Sequence, residues 1–131
     1  MNLDQLIDML HHSPEFMENV THWEAIPARE ASYAPFPDQI DSRLIHALKS
    51  RGIRQLFTHQ TDAVRSILSG KNMVVVTPTA SGKTLCYNLP VLQAVLENPE
   101  SRALYLFPTK ALSQDQVAEL HGLVDTLGID I

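Results

Sequence analysis

The spacing of apolar residues predicts helices along much of the chain. In these stretches apolar side chains recur every three or four positions, as the buried face of a helix requires. The stretches lie at 3–10, 44–48, 63–68, 83–96 and 111–127. Glycine follows at positions 52, 70 and 128, where a left-handed residue commonly ends a helix. Pro90 lies inside the 83–96 stretch, and we expect it to bend that helix because it removes one backbone hydrogen bond.

Short apolar runs between the helices predict strands. Residues 72–76 and 103–107 are rich in β-branched and aromatic side chains without alternation, as is typical of strands buried on both faces of a parallel sheet. The order strand, helix, strand, helix predicts an α/β fold whose crossovers are right-handed. Residues 128–131 resemble the start of a third strand. The predicted sheet is therefore incomplete within this chain.

The first 40 residues differ from the rest. A short helix is followed by a stretch that Pro14, Pro27, Pro35 and Pro37 interrupt, which predicts an irregular, mostly extended arm. Large apolar residues such as Trp23 indicate that this arm packs on something. The predicted organisation is a helical and extended arm over 1–40 and an α/β domain over 41–131.

Composition narrows the class of protein. The formal charge of −5 argues against a broad basic surface for nucleic acid, so any such contact must be local. No apolar run is long enough to span a membrane, and the start of the chain does not resemble a signal peptide. A single cysteine, Cys86, excludes an internal disulfide and agrees with a cytoplasmic location. The six histidines show no metal-ligand spacing with acids or cysteine, which favours surface or capping roles.

The most specific motif is a phosphate-binding loop between the first predicted strand and its helix. It reads Thr77-Pro78-Thr79-Ala80-Ser81-Gly82-Lys83-Thr84. In such a loop backbone N–H groups converge on nucleotide phosphates, lysine contacts the β- and γ-phosphates, and the last hydroxyl ligates magnesium. Thr77 stands where the general pattern has glycine. The alternative at this point is an ordinary strand-to-helix turn.

The P-loop and three further segments carry a family resemblance. The P-loop resembles motif I of superfamily 2 DEAD/DEAH-like helicases, and the segment from Phe107 to Gln116 resembles their motif Ia. Residues 56–60, which end in Gln60, resemble a Q-type motif. With Ile26-Pro27-Ala28-Arg29-Glu30-Ala31, these segments look most like bacterial YprA/MrfA-type helicases, which are associated with DNA repair.

The resemblance implies a RecA-like P-loop NTPase domain that binds ATP and magnesium. It assigns adenine recognition to Gln60, where an ordinary polar helix residue is the alternative. Tyr33 and Phe36 are candidates for stacking on the base, and packing in the core is the alternative for both. The resemblance assigns a nucleic-acid backbone contact to Pro108, Thr109, Lys110 and Ala111, where Thr109 as a simple helix cap is the alternative. The implied partners are single-stranded or partly duplex DNA, with RNA left open, and the remainder of a helicase chain.

The family also needs an acidic Walker B pair and a second RecA-like domain with an arginine finger. No adjacent Asp-Glu pair occurs in the 131 residues, so we expect no ATP hydrolysis by this chain alone, and whether the chain is itself an enzyme stays open. A truncated helicase is the simplest interpretation. The alternatives are a non-catalytic nucleotide-binding or interaction stub and a small P-loop phosphotransferase. The phosphotransferase lacks lid arginines here, because only Arg102 follows the P-loop.

Overall fold

The computed structural model describes residues 1–28, 30–78 and 81–128 of the chain. The chain divides into two units, Met1–Glu30 and Ala31–Ile131. The first unit contains α1 (Leu3–His11) and α2 (Pro14–Met17). Asn2 and Gln5 exchange side-chain and backbone hydrogen bonds of 2.9 and 3.0 Å at the start of α1, and this capping box satisfies N–H groups that the helix leaves unpaired. The helix predicted at 3–10 is thus confirmed.

The second unit carries the remaining elements. They are β1 (Tyr33–Ala34), α3 (Ser42–Ser50), β2 (Leu56–Phe57), α4 (Thr58–Leu68), α5 (Thr84–Glu97) and α6 (Lys110–Leu127). β1 and β2 pair antiparallel, with Tyr33 opposite Phe57 and Ala34 opposite Leu56. This short ladder fixes Tyr33 beside the start of α4.

The core of the second unit forms where the helices bury their apolar faces. α4 packs against α5, and α3 packs against α6. The fully buried large side chains include Leu44, Leu48, Leu56, Val64, Leu89 and Leu92. Each such side chain contributes roughly 1.5–3 kcal/mol relative to an exposed position. The helices predicted from apolar spacing in this unit are confirmed, including α5 with Pro90 inside it.

A polar contact ties α3 to α5. The Asp41 side chain caps α3 by accepting from the Arg43 N–H at 2.8 Å, and the Arg43 guanidinium lowers the pKa of Asp41 to about 2 through its side-chain hydrogen bonds. The Asp41 N–H donates to Gln93 Oε1 at 2.7 Å. Gln93 is buried and donates in turn to Glu97 at 2.8 Å, so both ends of its carboxamide are satisfied.

The predicted parallel strands are not formed. Within the described residues the sole sheet is the β1–β2 pair, and neither 72–76 nor 103–107 takes part in a ladder. Val74, Val76, Leu104 and Leu106 are 83–89% exposed instead of buried. The physical reason is that local composition supplies only a preference for extended structure, whereas a strand needs distant neighbours for its hydrogen bonds. Of the third strand predicted at 128–131, Gly128 is the C-cap of α6, and residues 129–131 lie outside the described residues.

Candidate nucleotide-binding site

The loop before α5 is built around Gly82 and Lys83. Gly82 has a φ of 72°, in the left-handed region that glycine adopts without steric cost. Lys83 is the N-cap of α5, and its side chain does not cap the helix. The positive end of a 14-residue helix therefore faces the loop without a side-chain cap from its N-cap residue. Thr79 and Ala80 of the predicted site lie outside the described residues.

The Lys83 ammonium lies inside its own loop. Nζ donates to the carbonyl oxygens of Thr77 at 3.0 Å and Pro78 at 2.8 Å, and it lies 3.4 Å from Ser81 Oγ. The hydroxyls of Thr77 and Ser81 are 2.6 Å apart. Among the described residues, the ammonium is thus held by neutral oxygen atoms, and a phosphate oxygen would offer it a stronger, charge-assisted bond. These residues fit the phosphates of a nucleoside triphosphate.

Gln60 is packed directly against this loop. It is 3% exposed, its Nε2 donates to the Gly82 carbonyl at 2.8 Å, and its Oε1 accepts from the Phe57 N–H at 2.8 Å. A Cβ added at Gly82 would lie 2.6 Å from Gln60 Nε2. The structure therefore places the predicted base-recognition residue against the P-loop, with both ends of its carboxamide engaged.

His59 makes a second contact that sequence reasoning missed. Its Nε2 lies 3.0 Å from the Ser81 carbonyl, so the tautomer with a proton on Nε2 donates a hydrogen bond there. Its ring stacks on Phe57 with centroids 5.7 Å apart and planes 10° apart. The sequence signal available was its position next to Gln60 in the first turn of α4. His59 and Gln60 together attach that turn to the P-loop.

A cavity of about 500 Å³ opens beside the loop, within the size range of small-molecule sites. Its wall includes Tyr33, Phe57, Gln60, Gly82 and Thr84. The rings of Tyr33 and Phe57 are stacked, with centroids 5.1 Å apart and planes 17° apart. The structure thus brings an aromatic surface, an amide and the loop residues of the predicted site to one space.

The two aromatic candidates for base stacking have different environments. Phe36 packs against the hydrophobic core of the second unit. Tyr33 is 54% exposed and lines the cavity. Only Tyr33 of this pair is thus available to a ligand in the cavity.

The predicted nucleic-acid contact lies at the start of α6. Thr109 is the N-cap, and its Oγ1 accepts from the Leu112 N–H at 3.2 Å. Pro108, Thr109, Lys110 and Ala111 are all exposed. The cap explains Thr109 locally, while the ammonium-bearing Lys110 at the first helical position is open to solvent.

Membrane-spanning helices and metal-ligand clusters are both absent from the described part of the chain. No helix in the described ranges has the length and apolar character that crossing a membrane requires. In the same residues, no group of three or more His, Cys, Asp and Glu side chains is placed to hold a metal ion.

Comparison with known proteins identifies relatives along the chain. Over 114 residues the chain is 56% identical to the ATP-dependent helicase YprA of Bacillus subtilis, and the alignment covers 87% of this chain and 15% of YprA. Over 119 residues it is 36% identical to the ATP-dependent helicase hrq1 of Schizosaccharomyces pombe, and the alignment covers 90% of this chain and 11% of hrq1. The structure is also similar to the crystal structure of the DUF1998 helicase MrfA bound to DNA and AMPPNP, with a TM-score of 0.85 and 51% sequence identity. The match covers 100% of this chain and 18% of the MrfA chain.

The chain therefore spans less than a fifth of the length of these relatives. The resemblance to YprA/MrfA-type helicases is confirmed by these identities. Residues 57–131, which contain Gln60, the P-loop and the start of α6, match the DEAD/DEAH box helicase family. The chain belongs to the DEAD/DEAH box helicase family.

Proposed function

We propose that this chain forms the nucleotide-binding part of an ATP-dependent DNA helicase. The observation that carries the proposal is the Lys83 ammonium, held by loop oxygens at the N-terminus of α5 beside a cavity of about 500 Å³. A helix N-terminus with a cation suits a triphosphate, and an adjoining cavity with an aromatic wall suits a base. Family membership argues against the small phosphotransferase.

ATP with magnesium would supply the phosphoanhydride bond whose hydrolysis drives movement along a nucleic acid. Lys83 would turn from the loop carbonyls to the phosphates, and the Thr84 hydroxyl would ligate the ion. Gly82 allows the backbone to approach closely, and Gln60 and His59 hold the loop in position. The groups that complete hydrolysis would come from the remainder of the helicase chain.

The exposed apolar residues of 72–76 and 103–107 support a larger sheet. Val74, Val76, Leu104 and Leu106 alternate with half-buried neighbours at a period of two, as in an extended segment with one covered face. We propose that both segments are parallel strands of a RecA-like sheet in the complete helicase. The buried Cys86 is free, which supports a cytoplasmic location.

DNA is the proposed nucleic-acid partner. The similar helicase MrfA has been crystallised bound to DNA and AMPPNP. In this chain the exposed Lys110 at the start of α6 can contact one backbone phosphate, which would add affinity without sequence preference.

A DNA-stimulated ATPase assay on the full-length natural protein tests the proposed function. We expect single-stranded DNA to accelerate ATP hydrolysis. We also expect Lys110→Ala to reduce the magnitude of the negative slope of log DNA affinity against log salt concentration by about 0.7, the value of one phosphate contact on a single strand. Lys71→Ala, at another exposed lysine, is the matched control. Hydrolysis that DNA leaves unchanged would contradict the proposal. Stimulation by RNA but not DNA would reassign the partner.

The aromatic wall of the cavity leads to a prediction about the base. We expect Tyr33→Ala to weaken ATP binding about tenfold, because stacking a base on an aromatic ring contributes roughly 1–3 kcal/mol. Tyr33→Phe keeps the ring and should bind ATP normally. The affinity for inorganic tripolyphosphate, which has no base, should be the same in wild type and in both variants. An equal loss for tripolyphosphate and ATP would show that Tyr33 only supports the fold.

A further inference from the structure

The P-loop helix carries two polar residues that bond to the segment around the start of α6. The Tyr87 hydroxyl donates to Gln116 Oε1 on α6 at 2.7 Å. The neighbouring Asn88 accepts through Oδ1 from the Tyr105 hydroxyl at 3.1 Å. Two adjacent residues of α5 therefore hold the two sides of the segment that contains Lys110.

The surroundings of these hydrogen bonds exclude much of the solvent. Tyr87 packs edge to face on Tyr105 with centroids 5.8 Å apart, and Tyr105 stacks on Phe107 at 6.0 Å. Asn88 is 3% exposed. Burial, with the nearby Tyr87 as a lesser cause, raises the pKa of Tyr105. The Tyr105 phenol therefore stays a protonated donor at neutral pH, and hydrogen bonds in such a low-dielectric setting are directional and costly to break.

The positions along α5 connect these bonds to the phosphate site. Tyr87 lies four residues after Lys83, and Asn88 lies four residues after Thr84, so each pair shares one face of the helix. On the other side, Phe107 directly precedes the exposed segment of Pro108 to Ala111. A displacement of the first turn of α5 would therefore be carried to both flanks of that segment.

The Tyr87–Gln116 bond connects helices that belong to different packed pairs. α5 packs most closely on α4, while α6 packs most closely on α3. The bond thus joins the two pairs on the α6 side, as the contact of Asp41 with Gln93 joins them on the α3 side. A small cavity of about 170 Å³ lies along it, lined by Asn88, Tyr105, Phe107 and Gln116 among others, so these side chains have room to shift.

We propose that Tyr87 and Asn88, with their partners Gln116 and Tyr105, are positioning residues that couple nucleotide binding at the P-loop to nucleic-acid binding at the start of α6. This inference rests on the proposed function. Neither tyrosine touches the nucleotide in this scheme. The hydroxyl groups matter because they fix where α5 and α6 stand relative to each other in each bound state.

The test compares ATP affinity with and without single-stranded DNA in the full-length natural protein. We expect Tyr87→Phe to leave ATP affinity without DNA unchanged, and to reduce the factor by which DNA alters that affinity about fivefold, as the loss of one neutral hydrogen bond predicts. Gln116→Met should have the same effect, and the double variant should lose no more than either single variant. Gln114→Met, at an exposed position on α6, is the matched control.

The outcomes separate the two proposals. If DNA alters ATP affinity equally in wild type and Tyr87→Phe, the coupling role is wrong, even if the variant melts at a lower temperature. Additive losses in the double variant would also overturn it. If wild type binds ATP but DNA has no influence on that affinity, the coupling role is wrong, and the DNA-stimulated ATPase assay decides separately whether the proposed function holds.

Discussion

Lys83→Ala is expected to weaken ATP binding about 10²-fold and to reduce hydrolysis by the full-length natural protein to background. Hydrogen bonds to charged groups contribute roughly 1.5–3 kcal/mol each, and Lys83 would make more than one to the phosphates. The variant also loses the hydrogen bonds to the Thr77 and Pro78 carbonyls that shape the loop. Titration calorimetry with ATP and magnesium measures the binding, and a phosphate-release assay measures the turnover.

Two variants control for charge and for bulk at this position. Lys49→Ala removes an exposed lysine from the last turn of α3 and should bind ATP like wild type. Lys83→Arg keeps the charge, but its planar guanidinium does not fit a space that a compact ammonium fills, so we expect little recovery. ATP binding by Lys83→Ala at wild-type affinity would contradict the role of Lys83 on which the proposed function rests.

Gly82→Ala is expected to have an effect of similar size for a different reason. An L side chain at a φ of 72° costs roughly 1–2 kcal/mol, and the added Cβ would lie 2.6 Å from Gln60 Nε2. The Gln60 carboxamide cannot move aside easily because it is buried and bonded at both ends. We expect about 10²-fold weaker ATP binding in the same calorimetric measurement, with a modest decrease in melting temperature.

A matched glycine separates backbone strain from the clash. Gly70 has a φ of 80°, and a Cβ there would meet nothing within 4 Å. Gly70→Ala should therefore cost stability without changing ATP affinity. The double variant Gly82→Ala with Gln60→Ala removes the clash. Its loss of ATP-binding free energy should therefore be smaller than the sum of the losses in the two single variants. Equal ATP binding by Gly82→Ala and wild type would show that close approach at this position is unimportant.

Helices were predictable from sequence because their signals are local. The apolar spacing around Leu44 and Leu48 and the glycine at position 128 lie within a few residues of the elements they define. The strands were not, because a ladder depends on partners far away in sequence, and Val74 and Leu104 have none in the described residues. The antiparallel pairing of Tyr33 with Phe57 left no recognisable pattern for the same reason.

The site was predictable to the extent that a motif encodes backbone geometry. The P-loop motif located Gly82, Lys83 and Thr84 correctly at the start of a helix. It could not reveal that His59 and Gln60 attach to this loop, because those contacts cross 22 positions of sequence. The choice of Tyr33 over Phe36 at the cavity likewise depends on tertiary packing.

The engagement of both ends of the Gln60 carboxamide has a consequence for nucleotide selectivity. One hydrogen of Nε2 and one lone pair of Oε1 are engaged by the Gly82 carbonyl and the Phe57 N–H, so a base would be read by the second hydrogen and the second lone pair. The same two bonds fix which end of the carboxamide donates and which accepts. Gln60 therefore offers a donor and an acceptor that match N7 and N6 of adenine, and guanine, which has an acceptor at O6, does not match this fixed orientation. The carboxamide that would read the purine is also attached to the loop beneath the phosphates.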